Sequence, residues 1–293
     1  MSEQKEISTQ YITDDRLDFL WAACFGVAFT DLYGNKDEAL KVCTRSAYRD
    51  LRRTLRYSIS VSDLGKMRKT IDENGKNSED KAAEADKYDK TKKEFVSKVV
   101  NDIISKSISE YLQELVNAVN CKDDKTNWED FTKWHMEICD KIVEEAENYQ
   151  SQKKERLFKS KTLKSGKVLK PFYHGQAQKW LNMTLKNMLI MGLWDNEIEK
   201  VKPFLHVPVD DYIIDGADES FNGQYKLREP IKKSKTVWSQ WEKKEYYDFQ
   251  KHIWNDLNSN SHDQINTPID WEGKVWLEVR KLRGEKDGKH DDD

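Results

Sequence analysis

Lys179 and Asp210 are the residues of this sequence whose types and settings point most directly to chemistry. Lys179 lies in residues 174–193, where Leu181, Leu185, Met188 and Leu189 form one apolar stripe and Trp180, Met183, Ile190, Met191 and Trp194 extend it to other faces. A helix apolar on most sides belongs in a core. Yet Lys179, Asn182 and Lys186 recur at i, i+3 and i+7 and share one face, a narrow polar stripe on a helix that should be buried. Burying a lysine costs free energy unless it is paired. A desolvated lysine also holds its proton less tightly and becomes a usable amine nucleophile. The alternative is that these lysines run out along the surface to solvent. Asp210 follows Val207-Pro208-Val209, which must be extended because a residue before proline avoids the helical region. A helix then starts, so Asp210 either caps it or presents a carboxylate to a cleft.

A third set lies further on. Trp238, Trp241, Tyr246, Tyr247, Phe249, Ile253, Trp254 and Leu257 recur at helical spacing, and after a polar loop comes Pro268-Ile269-Asp270-Trp271-Glu272-Gly273-Lys274-Val275-Trp276-Leu277. Aromatics so spaced make core. Glu272 and Trp276, four residues apart, share a helix face and together suit a flat polar ring.

The order of these pieces carries a resemblance. Gln178-Lys179, Pro203-Phe204, Pro208-Val209-Asp210, Gln250-Lys251-His252-Ile253-Trp254 and the helix reaching Trp276 resemble the archaeal 8-oxoguanine DNA glycosylase family, a divergent branch of the helix-hairpin-helix glycosylases, over residues 174–283. The resemblance implies an all-α, two-lobed fold with a central cleft. It also implies a nucleophilic lysine at Lys179, a catalytic aspartate at Asp210, a base-contacting acid at Glu272 and a base-stacking aromatic at Trp276; beyond the resemblance, Trp180 or Trp271 is a further candidate to stack on a base. Glu272 departs from the family in the length of its acid. Gly175-Gln176-Ala177-Gln178 replaces the usual glycine-rich hairpin, and these departures bear on which base is taken. The implied activity is excision of a damaged or modified base from DNA. The candidates are 8-oxoguanine or, given the unmatched first half, a bulky modified cytosine of the kind that bacterial glycosylases attack in phage DNA. A catalytically silent protein that binds modified DNA, or a helical scaffold in which Lys179 and Asp210 form a structural ion pair, would present the same residues.

The elements that must position this set are helical. With 12 Gly and 5 Pro among 293 residues, the chain has too few turn residues for an all-β protein. Helices are expected over residues 14–34 and from Asp37 to Tyr57, along Phe95 to Val119, and from Trp128 to Val143, with a loop between Asn120 and Asn127. Residues 63–94 are mostly charged, and part of this stretch reads as an exposed excursion or mobile insertion in an N-terminal helical lobe spanning 1–150. A catalytic unit over 151–283 follows, then a disordered acidic tail over 284–293.

The net charge of −3 means that any grip on phosphate must be local. Residues 151–170 hold eight basic residues against one acid, Glu155. Of these, Lys159, Lys161, Lys164, Lys167 and Lys170, with Lys232 and Lys233 of the later cluster Lys226, Arg228, Lys232, Lys233 and Lys235, are candidate phosphate contacts, although such runs are also simply solvated faces. Cys24, Cys43, Cys121 and Cys139 are scattered and read as buried free thiols, so no zinc, iron–sulfur cluster or other cofactor is expected. No apolar run reaches membrane-spanning length and the N-terminus has no signal character, so an intracellular monomer acting on duplex DNA with an extruded base is expected.

Overall fold

The helical periodicities close into an all-α fold. The computed structural model describes residues 21–32, 34–69, 77–117, 124–151, 157–159, 161–162, 168–259, 265 and 267–287. The elements that matter here are α1 (Lys36–Leu51), α2 (Val61–Lys69), α3 (Asn77–Lys98), a π-helical segment (Val99–Ser105), α4 (Lys106–Asn117), α5 (Asp124–Ser151), α6 (His174–Met191), α7 (Asp195–Val201), α8 (Asp211–Ala217), α9 (Lys243–Asn258) and α10 (Pro268–Asp287). Two-residue strands, β1 (Lys161–Thr162) and β2 (Val168–Leu169), pair antiparallel before α6. Among the described residues no helix is long and apolar enough to cross a membrane.

Several boundaries differ from the sequence reading. Gly26 adopts φ +79°, a left-handed conformation that stops the helix expected over 14–34, and a separate turn follows at Phe29–Leu32. The helix expected to reach Tyr57 ends at Leu51 and tightens into a 3-10 turn, Arg52–Thr54. The charged stretch, expected in part as an excursion or insertion, holds most of α2 and of α3. Within α3, Ala85, Tyr88, Thr91 and Phe95 are buried at intervals of three and four residues, so one sparse stripe docks an otherwise solvated helix. Residues 70–76 of that stretch lie outside the described residues, as do Lys164 and Lys167 and the first part of the 120–127 loop with Cys121. α10 continues to Asp287, so the first four residues of the expected acidic tail are helical, and 288–293 lie outside the described residues. Cys43 and Cys139 are buried free thiols as expected, whereas Cys24 is exposed.

Two apolar clusters form. In the first, α1 and α5 pack along α6, and Leu181, Leu185 and Met188 belong to one buried cluster with residues of α1, α3 and α5. In the second, α8, α9 and α10 enclose Val207, Val209, Ile213, Ile253, Trp271 and Val275. α6 thus has one flank in the first core and presents its polar stripe towards the segment that enters the second.

Candidate active site

The polar stripe of α6 forms one wall of a cleft of about 710 Å³. Lys179 Nζ donates to Asp210 Oδ2 at 3.0 Å and to the Pro208 carbonyl at 3.3 Å. The side chains of the pair are 10% and 21% exposed, so the ion pair is accessible from the cleft without being solvated all round. The other carboxylate oxygen of Asp210 accepts from the backbone N–H groups of Tyr212 (3.0 Å) and Ile213 (3.1 Å). The two readings of Asp210 therefore hold together: Oδ1 caps α8, and Oδ2 faces the lysine.

Two turns further along α6, Lys186 Nζ bonds both oxygens of Glu272, at 2.8 and 2.6 Å. Glu272 is 2% exposed. Burial pushes its carboxyl pKa up from the ordinary value, and Lys186 opposes that rise. Trp276 lines the cleft one turn later on α10, its ring 5.0 Å from that of Tyr212 and capped by the Arg280 guanidinium at 5.4 Å. The 3-10 turn Trp238–Gln240 supplies an opposite wall, with Lys179 Nζ 5.9 Å from the Trp238 ring. Asp50, Arg53 and Thr54, at and just beyond the end of α1, complete the rim.

The chain matches no protein-family model, and no curated protein or solved structure was found to match it. What the site can do rests on its own geometry. It offers a paired amine and carboxylate, a second carboxylate held by a lysine, and aromatic faces, around a space in the size range of small-molecule sites.

Not every candidate lies here. Trp180 is fully buried: its indole N–H donates to the Thr44 carbonyl at 3.0 Å and its ring packs on Tyr48 and Phe95. Trp271 is equally buried, donating to the Tyr225 carbonyl at 2.9 Å. Neither can stack on a ligand in the cleft, because both indoles complete a core. Among the basic candidates, Lys159 and Lys232 are exposed, while Lys170 pairs with Glu242 (2.9 Å) and Lys233 with Asp215 (2.6 Å). Lys161 falls on β1. Lys235 is exposed and, like Lys232, has no ion pair among the described residues.

Asn182 leaves the lysine stripe and turns inward. Its amide Oδ1 is 2.6 Å from His135 Nε2, and its Nδ2 faces Gln178, Tyr246 and the Val207 carbonyl. His206 bridges Thr132 and Tyr246, at 2.9 Å each. Gln250 holds Val207 by both its N–H (3.0 Å) and its carbonyl (2.9 Å). This buried network fixes the 206–208 segment, and hence the Pro208 carbonyl and Asp210. The sequence reading passed over these histidines because single histidines at wide spacing carry no pattern.

Gly175 sets the position of the opposite wall. A Cβ there would lie 2.0 Å from the Trp238 carbonyl oxygen, and the Gly175 N–H donates to the Trp241 carbonyl at 2.9 Å. Gly175→Ala is expected to push the Trp238 turn off α6 and to cost about 1–3 kcal/mol, the usual toll of overpacking. Urea unfolding checks this, and a variant as stable as the wild type would contradict the close approach.

Proposed function

We propose that this protein is a DNA N-glycosylase that takes an extruded damaged or modified base into the cleft and releases it. The observation that carries the reading is the Lys179–Asp210 pair, in contact at 3.0 Å on the wall of an open cleft rather than sealed in a core. A purely structural ion pair has no need of the adjoining space or of Trp276 and Glu272 beside it.

An enzyme that acts on a base within a duplex must extrude it, at a cost of a few kcal/mol recovered by stacking and edge hydrogen bonds. Trp276 and Trp238 line the cleft, and a base that stacks on Trp276 displaces the Arg280 guanidinium from its ring. Glu272 keeps acceptor lone pairs beyond those used by Lys186. Lys179 reacts as a free amine, so its proton leaves first, and Asp210 Oδ2 stands where it can accept it. The nitrogen then bonds to C1′ as the C1′–base bond breaks, and the bonding pair leaves with the base, which takes up a proton. Opening of the sugar ring gives a Schiff base. If water attacks instead, Asp210 takes the proton of the water and an intact abasic site remains. In the water course the carboxylate, still ionised as the C1′–base bond breaks, also stabilises positive charge on the sugar in the transition state. We read the two apolar clusters as the two lobes, and Lys232 and Lys235, on the segment leading to the Trp238 turn, as contacts to phosphate.

The test is base release from duplexes carrying 8-oxoguanine and from DNA carrying modified cytosine, with borohydride added to trap a covalent intermediate. Abasic sites on one substrate are expected, with binding that weakens steeply as salt rises. Duplex binding with no abasic sites on either substrate would overturn the enzymatic reading in favour of a silent binder of modified DNA. Trapped complex distinguishes the amine route from the water route.

A further inference from the structure

A second pocket, of about 420 Å³, opens on a different face of α1 from the cleft, between α1, α3 and the π-helical segment. Its walls carry four cations, Arg45, Arg52, Lys92 and Lys93, against a single carboxylate, Asp89. Arg45 is engaged by Glu38 at 2.9 Å and Lys93 by Asp89 at 3.7 Å. Arg52 and Lys92 have no ion pair among the described residues. Lys92 is half-buried, its ammonium 4.3 Å above the Tyr57 ring. Burial pushes the Lys92 pKa down; the Asp89 carboxylate opposes this and the neighbouring Arg52 adds to it. Two like charges are thus held together at the mouth of a concavity with too little counter-charge, which leaves room for an anion.

The rest of the wall narrows the ligand. Asn101 Nδ2 donates to Ser97 Oγ at 2.9 Å, which leaves the serine hydroxyl hydrogen free to donate onward. The aromatic faces are taken. Tyr57 stacks on Phe158 at 5.3 Å and lies under Lys92, Tyr48 packs on Trp180, and the two tyrosine hydroxyls bond each other. No ring is left for a base to stack on, so recognition must act through charge and hydrogen bonds. Arg52, with a planar guanidinium fork, and Lys92, a compact point charge, are the combination that suits phosphate oxygens. A pocket of this size fits a free small molecule better than the convex backbone of a duplex. A π-helical segment lining a pocket is itself a common mark of a functional site.

We propose that this pocket binds the phosphate groups of a small phosphorylated ligand, with Arg52 and Lys92 as the principal contacts and Ser97 as an additional donor. The site is independent of the cleft and of its proposed reaction. It lies one side chain from α6, since Tyr48 lines the pocket and packs on Trp180, the neighbour of Lys179.

Calorimetric titration of the full chain with inorganic pyrophosphate tests the proposal. Sub-millimolar binding is expected, weakened about tenfold or more in Arg52→Gln and in Lys92→Gln, less in Arg52→Lys, and unchanged in Lys200→Gln, an exposed lysine outside the pocket. Thermal melts check that each variant is folded, and Arg52→Lys serves should Arg52→Gln fail to fold. No pyrophosphate binding, or an equal loss in Lys200→Gln, overturns the site. Weakened binding of a duplex oligonucleotide in Arg52→Gln, with pyrophosphate binding unaffected, overturns the small-ligand assignment and makes the pocket a nucleic-acid contact.

Discussion

Asp210→Asn is expected to lower the rate of base release by a factor of about 10³ while leaving the protein folded and able to bind DNA. The two oxygens of Asp210 do different work, and the substitution separates them. Oδ1 receives the Tyr212 and Ile213 N–H groups, and an asparagine oxygen caps a helix about as well as a carboxylate does. Oδ2 faces Lys179, and the asparagine amide placed there carries no charge and cannot accept a proton from the lysine. Both Asp210→Asn and Asp210→Ala take the carboxylate away from the half-enclosed Lys179, but Asp210→Asn keeps the cap, so it should be the more stable of the two, by the roughly 1 kcal/mol that the cap is worth. Lys179→Gln should show a comparable loss of rate and no borohydride-trapped complex. Single-turnover assays on the substrate found to release its base decide the matter. An asparagine variant with wild-type rate would mean that Asp210 serves only as a cap, and the glycosylase reading would fall with it.

The parts of this site legible in the sequence are those where local chemistry and global placement agree. Pro208 forces an extended approach and Asp210 then starts α8, so backbone restriction alone locates the carboxylate. The apolar faces around Lys179 announce a core helix, and α6 is one, with fourteen of its eighteen residues buried. Trp180 and Trp271 were misplaced because a tryptophan on a helix of this kind has the same spacing whether its ring enters a core or a cleft. The indole partner decides, and Thr44 and Tyr225 lie far along the chain. The same holds for Lys186 and Glu272. Each stands out alone, but their pairing spans 86 residues and no local pattern reports it.

The contribution of the first half was illegible for a related reason. Asp50, Arg53 and Thr54 reach the cleft because α1 packs along α6, a contact that apolar periodicity permits but does not specify. In α3 the charges outnumber the buried stripe of Ala85, Tyr88, Thr91 and Phe95, so composition suggests solvation where a minority of residues determines docking. Asn182 shows the opposite failure. It shares a helical face with two cleft lysines, but a short side chain cannot reach the rim and meets His135 and Tyr246 beneath it.

That network beneath the cleft makes folding stability steeply dependent on acid. His135, His174 and His206 are all buried. Burial pushes His135 down to about 3 and His174 to about 4, and it holds His206 well below the ordinary range, with the neighbouring histidines adding to the shift for His135 and His206. The hydrogen bonds suit neutral rings: His206 lies between the Thr132 and Tyr246 hydroxyls, each able to donate or accept, and its ring centre is 4.6 Å from that of His135. His174 Nε2 has no hydrogen-bond partner, so a proton placed there would gain no hydrogen bond, and burial outweighs the pull of the Asp140 and Glu242 carboxylates on the charged ring. Unfolded, each histidine titrates near 6.5. Below that value the unfolded chain binds protons that the native state refuses, so stability is full above about pH 7 and falls as pH decreases, at a limiting slope of about 1.4 kcal/mol per pH unit for each histidine. The three together should remove roughly 5 kcal/mol between pH 7 and pH 5, a large share of the total stability of a typical domain. The fall should ease near pH 4, where His174 begins to take its proton in the folded state. Urea unfolding at a series of pH values measures the slope directly. His174→Gln, which removes one titrating group and allows a neutral amide in its place, should reduce the slope by about a third. A stability flat between pH 7 and pH 5 would mean that the histidines are protonated within the fold, and the network holding Val207, Pro208 and Asp210 in register would then have to be charged rather than neutral.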